Sequence, residues 1–268
     1  MTRVAVVTGA ARGIGAATVR GLAAAGWAVV AVDRADDDPR LPYPMGSRAE
    51  LEGVVESAAP PDRSSGGPAV VAHVADTTDP DALGAAVALA EERFGGLDAM
   101  VAVAGVIAGG VPLWEMPDDQ LWAVLRVDLG GPVTAARVGI PALLRRDPPR
   151  HGRFLAVASA AATRGLPLLA AYGAAKAGVA GLVRGLAAEL AGTGVTANAV
   201  SPGSTDTAML TESARLYGVE DTAAFADQQP VRRLLRAEEV AAALVWLAGT
   251  DTDALTGAVI PVDGGLAL

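Results

Sequence analysis

Cysteine is absent from the 268 residues, which excludes a disulfide framework, a thiolate nucleophile and a Cys-based zinc site. This fits a reducing interior and a cytoplasmic location. Histidine is nearly absent. His73 lies in an apolar, strand-like run and His151 in the stretch RRDPPRHGR, so both are expected to be structural or solvated, and no metal is expected. Aromatic residues make up only 4% of the chain and leave little for stacking on bases. A formal net charge of −9 opposes nucleic acid or an anionic membrane as partner. The uncharged stretch from Ala99 to Trp114 is shorter than the roughly 20 residues of a spanning helix, and glycines and Pro112 interrupt it. Strand-like residues from Arg3 onward leave no room for a cleavable leader. The expected ligand is a small molecule.

Hydrophobic residues at 51% and thirty-two glycines suit a tightly turned α/β core. Short Val-rich runs at Val4–Val7, Ala28–Val32, Val70–Val74, Ala99–Ala102, Phe154–Ala158, Thr196–Val200 and Ala258–Val262 read as strands buried on both faces. Helical periodicity separates them near Gly15–Ala25, Asp79–Phe94, Gln120–Leu144, Tyr172–Ala191 and Ala237–Ala248. The alternation predicts an α/β fold: a single domain over residues 1–268, doubly wound (Rossmann), with about seven parallel strands and helices on both faces. Ligands then bind at the carboxyl ends of the strands. One segment, Arg34–Pro68, breaks the rhythm. It is rich in Pro, Asp, Ser and Gly, only Glu50–Ser57 looks helical, and it is read as an insertion, either a functional cover or a solvated loop.

The turn TGAARGIG at Thr8–Gly15 joins the first strand to a helix. Gly9, Gly13 and Gly15 there let backbone approach a pyrophosphate, which the helix-terminal N–H groups would face. Arg12 is either a phosphate contact or a solvated turn arginine. Asp33 ends the second strand about twenty residues on, where a carboxylate can accept hydrogen bonds from ribose hydroxyls and repel a 2′-phosphate. NAD is therefore expected rather than NADP, with Arg34 as the dissenting neighbour.

Ser159, Tyr172 and Lys176 follow in SAAATRGLPLLAAYGAAK at spacings of thirteen and four. Hydride transfer at a carbinol needs a proton moved at the substrate oxygen. Tyr172 is the candidate acid/base, and Lys176, one helical turn on, is the cation expected to lower its pKa. Ser159 is the expected donor to a developing oxyanion.

With these motifs the chain resembles the short-chain dehydrogenase/reductase family of the TGxxxGxG and Ser–Tyr–Lys type, over essentially its whole length. The resemblance extends to Asp76 in VADTTD, to Asn198 in NAVSPG and to the terminal VDGG. It implies that Ile14 joins the glycine turn at the cofactor and that Asp76, after Val74 and Ala75, caps the adenine. It further implies that Ala104, Gly105, Ser204 and Thr205 contact the cofactor, and that Ser201, Pro202 and Gly203, followed by Thr207, line the nicotinamide. The LPYP run at Leu41–Pro44 further resembles the branch associated with mycofactocin. That branch implies a bound, slowly exchanging cofactor, a possible mycofactocin redox partner and an insertion folded over the adenosine side.

Two positions depart from the family pattern. Val103 stands where an Asn usually bridges strands. Asp128, in RVDLGGP, replaces the Asn of the proton relay, which signals either an altered relay or a weakened activity. The stretch from Thr205 to Gln229, with Met209, Leu210, Leu216, Tyr217 and Phe225, is the expected substrate lid. Trp114, Leu166 and Leu168 are expected to add apolar wall for an alcohol or ketone. The small-residue helix after Tyr172 serves either packing on the sheet or, as the family implies, a homotetramer. The competing readings are an NADP-linked 3-oxoacyl reductase and a nicotinamide-binding regulator without turnover.

Overall fold

The computed structural model describes residues 2–58 and 69–268. Seven parallel strands form one sheet: β1 (Val4–Thr8), β2 (Ala28–Asp33), β3 (Val70–Val74), β4 (Ala99–Ala102), β5 (Gly152–Val157), β6 (Val195–Pro202) and β7 (Val259–Val262). Their order is β3-β2-β1-β4-β5-β6-β7. Chain order therefore reverses between β1 and β4, which end level with each other where Thr8 pairs with Ala102. That reversal opens a crevice at the carboxyl ends, and the cavity described below lies there.

Alternation along each strand sends side chains into two cores. Val4 and Val6 face one layer with α3 (Pro80–Phe94), α5 (Gly131–Leu144) and α6 (Ala170–Glu189). Ala5 and Val7 face the other layer with α1 (Gly13–Ala24), α2 (Arg48–Ala58) and α8 (Ala237–Ala248). Each fully buried Val or Leu contributes about 1.5–3 kcal/mol. Two further helices, α4 (Asp118–Leu125) and α7 (Ala208–Leu216), stand over the carboxyl ends and belong to a third cluster around Tyr172 or to the lid.

Two expectations need correction. β3 and β7 are edge strands and are only partly covered, since each has a neighbour on one side alone. The single helix expected over Gln120–Leu144 is broken by a π-helical turn at Arg126–Gly130, just before Pro132 removes a backbone donor. The insertion does form its helix, as α2, but Ala59–Pro68 lies outside the described residues.

Candidate active site

The glycine turn is shaped by close backbone approach. Gly9 has φ +68° and a Cβ there would lie 2.7 Å from Ala104 Cα, while Gly13 has φ +55° beside Thr207. At Gly15 a Cβ would overlap the Gly9 carbonyl. No side chain caps α1, and Gly13, Ile14 and Gly15 border the cavity, leaving helix-terminal N–H groups as anion donors. This uncapped cradle fits a dinucleotide pyrophosphate. Thr8 Oγ1 accepts from the N–H groups of Val103 and Ala104 at 3.1 and 3.2 Å, so a hydroxyl from β1 bridges the strands where Val103 cannot.

Asp33 borders the cavity and accepts from the N–H groups of Ala11 and Ala35, both at 3.0 Å. Backbone thus holds the carboxylate and leaves lone pairs for ribose hydroxyls. Arg34 donates to Asp38 at 3.0 Å and to the Asp37 carbonyl at 2.8 Å. Asp38 is buried and also takes Arg40, whose hydrogen bonds hold its carboxyl down at about 2. The charge of Arg34 is thereby matched within its own loop, which removes its argument for NADP. Ala75 and Asp76 border the same end, and Asp76 accepts from the backbone and hydroxyl of Thr78. Val74 does not border the cavity: it is exposed on the edge strand, a correction to its expected cofactor contact.

The insertion reaches further than the adenosine side. Arg12 donates to the Pro44 carbonyl at 2.8 Å and so ties the glycine turn to the loop. Tyr43, between two prolines, crosses to the catalytic end and its hydroxyl accepts from the Ile107 N–H at 2.8 Å. Tyr43, Met45 and Leu41 pack in the cluster that holds Tyr172 and Met209. Sequence reasoning did not find Tyr43 as a site residue. Its signal was the pair of prolines in LPYP, which stiffens the chain around one large side chain.

Strand β5 and helix α6 bring the chemistry together. Ser159 follows β5, and its Oγ accepts from the Ala161 N–H at 3.2 Å, which leaves its hydrogen free to donate into the cavity. Tyr172 and Lys176 share one face of α6 and are 8% and 3% exposed. Lys176 is the only lysine in the chain. Its Nζ lies 5.6 Å from the Tyr172 ring centroid and donates to the Val157 carbonyl at 3.1 Å. Asp128, fully buried in the π-helical turn, places Oδ1 at 2.9 Å from Nζ as an ion pair off the hydrogen-bond axis, and Oδ1 has no donor among the described residues. Its Oδ2 accepts from Val106 N–H at 3.4 Å.

Charges follow this geometry. Burial raises the pKa of Asp128 although Lys176 opposes it. Burial disfavours the Lys176 ammonium, but Asp128 and the phenol outweigh it and the net direction is upward. For Tyr172 burial dominates and Asp128 adds to it, so the phenol is raised despite Lys176 and Ser159. The expected lowering by Lys176 is thus corrected for the protein without its cofactor: burial of the phenol, with a carboxylate beside the ammonium, outweighs the cation.

The far rim is held by Gln229, a second residue that sequence reasoning missed. Fully buried, its amide accepts from Ser204 N–H at 2.8 Å and donates to the carbonyls of Ser204 and Arg233. It fixes the backbone of Pro202, Gly203 and Ser204, which borders the cavity with Thr205 and Thr207. Asn198 does not border the cavity and joins β6 to the Leu255–Ala258 backbone instead. The stretch from Thr205 to Gln229 contributes Met209, Leu210, Tyr217 and Phe225 to the cavity wall, and Tyr217 donates to the Pro167 carbonyl at 2.7 Å. Leu166 borders the cavity, but Leu168 and Trp114 do not. Trp114 is 84% exposed, because the short turn at Leu113–Glu115 sends Met116 inward and the indole out.

One cavity of about 700 Å³ joins the Ala104–Gly105 backbone and the glycine turn to Ser159, Tyr172 and Lys176. No group of three or more His, Asp or Glu side chains fit to hold a metal occurs among the described residues, and no helix among them is long and apolar enough to cross a membrane. A dinucleotide cradle opening onto a Ser–Tyr–Lys set defines a nicotinamide-dependent oxidoreductase.

Comparison with known proteins agrees. The chain belongs to the short-chain dehydrogenase/reductase family: a family model described as Enoyl-(Acyl carrier protein) reductase matches residues 9–267. Over 265 residues it is 39% identical to the short-chain reductase protein NovJ of Streptomyces niveus, covering 98% of this chain and 93% of that one. It is 38% identical to the cis-4-hydroxycyclohexanecarboxylate dehydrogenase of Sinomonas cyclohexanicum, with 98% and 96% covered. Among solved structures, carveol dehydrogenase from Mycobacterium avium in complex with NAD superposes with a TM-score of 0.90 at 28% identity, covering 98% of this chain and 97% of that one.

Proposed function

We propose that the chain, acting as one domain, is an NAD-dependent dehydrogenase/reductase that interconverts an apolar secondary alcohol and its ketone, with Tyr172 as the general acid/base. The observation that carries this reading is the placement of Tyr172, Lys176 and Ser159 on the wall of the cavity that the glycine turn enters. When bound, the oxidised nicotinamide supplies the hydride acceptor and a positive charge. In alcohol oxidation the Tyr172 oxygen removes the carbinol proton, Lys176 stabilises the phenolate, and Ser159 donates to the substrate oxygen. Asp128 keeps Lys176 charged and raises the phenol, so this relay works at more alkaline pH than one with a neutral amide.

The apolar lining from Ile107, Leu166, Met209 and Phe225 favours a hydrophobic substrate. Asp33, together with the internally matched Arg34, disfavours an NADP-linked 3-oxoacyl reductase. The mycofactocin branch is favoured by the strap from Arg12 to Pro44 and from Tyr43 to Ile107, which would slow cofactor exchange and call for an external redox partner. A homotetramer is favoured by the open surface at Gly181 and Gly185 of α6 and by exposed Trp122 on the adjoining α4. A cytoplasmic site of action is consistent with the lack of cysteine.

The test is Tyr172→Phe, assayed on a panel of secondary alcohols with an artificial electron acceptor present. Turnover should fall at least about 10²-fold with nicotinamide affinity nearly unchanged. Turnover within threefold of wild type would remove Tyr172 from its role. A wild type that binds NAD but oxidises nothing would favour the regulator.

A further inference from the structure

The acids bordering the cavity, Asp33, Asp36, Asp38 and Asp76, all lie at its adenosine end. Past the turn capped by Ser159, the wall carries a cation without a carboxylate partner among the described residues. Arg164 follows the short helical turn that starts at Ser159, borders the cavity, and donates from Nη1 to the Leu266 carbonyl at 2.8 Å. No carboxylate lies within 4.0 Å of it among the described residues. Other arginines that line this cavity or brace its loops have carboxylate partners: Arg34 and Arg40 pair with Asp38, and Arg215 with Glu212; Arg12, at the glycine turn, is tied to the Pro44 carbonyl at the cofactor end. In a chain of net charge −9, an arginine left over at a cavity mouth is a place for an anion.

The position also says where on the substrate the anion sits. Tyr172 packs in an apolar cluster with Ala161, Leu169, Val106 and Ile107, all of which border the cavity. They offer nothing to a charge next to the carbinol carbon. Arg164, outside that cluster and exposed, borders the same cavity, as does Leu266, whose carbonyl holds it.

We propose that Arg164 selects secondary alcohols whose apolar body ends in a carboxylate remote from the carbinol, and that the Leu266 carbonyl holds the guanidinium in place to receive it. The inference rests on the dehydrogenase reading above and narrows its substrate class. Arg164 takes no part in proton transfer, so its effect falls on KM rather than kcat.

The experiment measures kcat/KM of the wild-type holoenzyme on matched pairs: secondary alcohols with a terminal carboxylate and their methyl esters, with spacers of increasing length. The acid should be preferred over its ester by about tenfold or more once the spacer reaches Arg164, and the preference should shrink at high salt. Arg164→Gln should bring the ratio to about one through KM of the acid, with the ester unaffected. Arg164→Lys should keep part of the preference. The unchanged ester kinetics show that the variants are folded. Turnover of the esters with no preference for any acid, or a preference that survives Arg164→Gln, overturns this proposal and leaves the dehydrogenase reading intact. No turnover of either member of any pair by the wild type overturns both.

Discussion

Replacing Asp128 by Asn removes one buried charge while nearly keeping the shape of the side chain. In the wild type that carboxylate is fully buried, 2.9 Å from the Lys176 ammonium, and raises the pKa of the Tyr172 phenol. The carboxylate lies 2.9 Å from an ammonium that is 5.6 Å from the phenol ring, so it is no farther than about 8.5 Å from the ring, and a unit charge there in an effective dielectric of about 20 is worth about 2 kcal/mol, or about 1.5 pH units. The sign follows from the charge: with the anion gone the phenolate is favoured, the phenol titrates lower, and the ascending limb of alcohol oxidation moves to acid. A second effect opposes it. Lys176 owes its raised pKa to Asp128 and the phenol, against burial, so in the variant only the phenol holds the ammonium against desolvation. If Lys176 lost its proton first, the limb would move to alkali. The limb reports the coupled Tyr172–Lys176–Asp128 set, and its direction is the readout. Steady-state kcat/KM for one alcohol from pH 6 to 11 should show an acid shift of about one unit in Asp128→Asn. An unmoved limb would mean that Asp128 is neutral or uncoupled, and an alkaline shift would mean that it acts mainly as guardian of the ammonium.

Two further outcomes test the cofactor end. Tyr43→Phe leaves the Ile107 N–H without its acceptor at a cost of about 1–3 kcal/mol, so release of bound nicotinamide, followed by stopped-flow fluorescence, should quicken about tenfold. An unchanged rate would confine Tyr43 to packing. Gly9→Ala drives a Cβ to 2.7 Å from Ala104 Cα at φ +68°, and strain plus overpacking of about 2–5 kcal/mol should lower Tm by several degrees and abolish cofactor binding. A variant that melts with the wild type and binds NAD would refute the close-approach account of the turn.

What was legible in the sequence was local. TGAARGIG declares its turn because glycines four and then two residues apart have few other reasons to recur between a Val run and a helix. Tyr172 and Lys176 declare their shared face because a spacing of four is one helical turn. Seven Val-rich runs sufficed for the sheet, since parallel strands covered on both sides carry continuous apolar residues. What stayed hidden depends on contacts between distant parts of the chain. Tyr43 meets Ile107 across 64 positions, and Gln229 clasps a backbone 25 residues earlier. Nothing near either residue in sequence specifies the partner. The fate of Trp114 was hidden for a different reason: hydrophobicity says what a side chain prefers, not which way a short helical turn points it. The π-helical turn at Asp128 was equally unreadable, because one extra residue per turn leaves the apolar periodicity of Gln120–Leu144 almost undisturbed.

The amide of Gln229 has a mechanical consequence. The chain leaves for the lid at Ser204 and comes back at Gln229 itself, so departure and return are stapled at a single spot. With both feet tied to each other, any tilt of the excursion between them leaves its ends together. The entropy of bringing those ends together is spent at folding, and any such tilt is left only its own lesser cost.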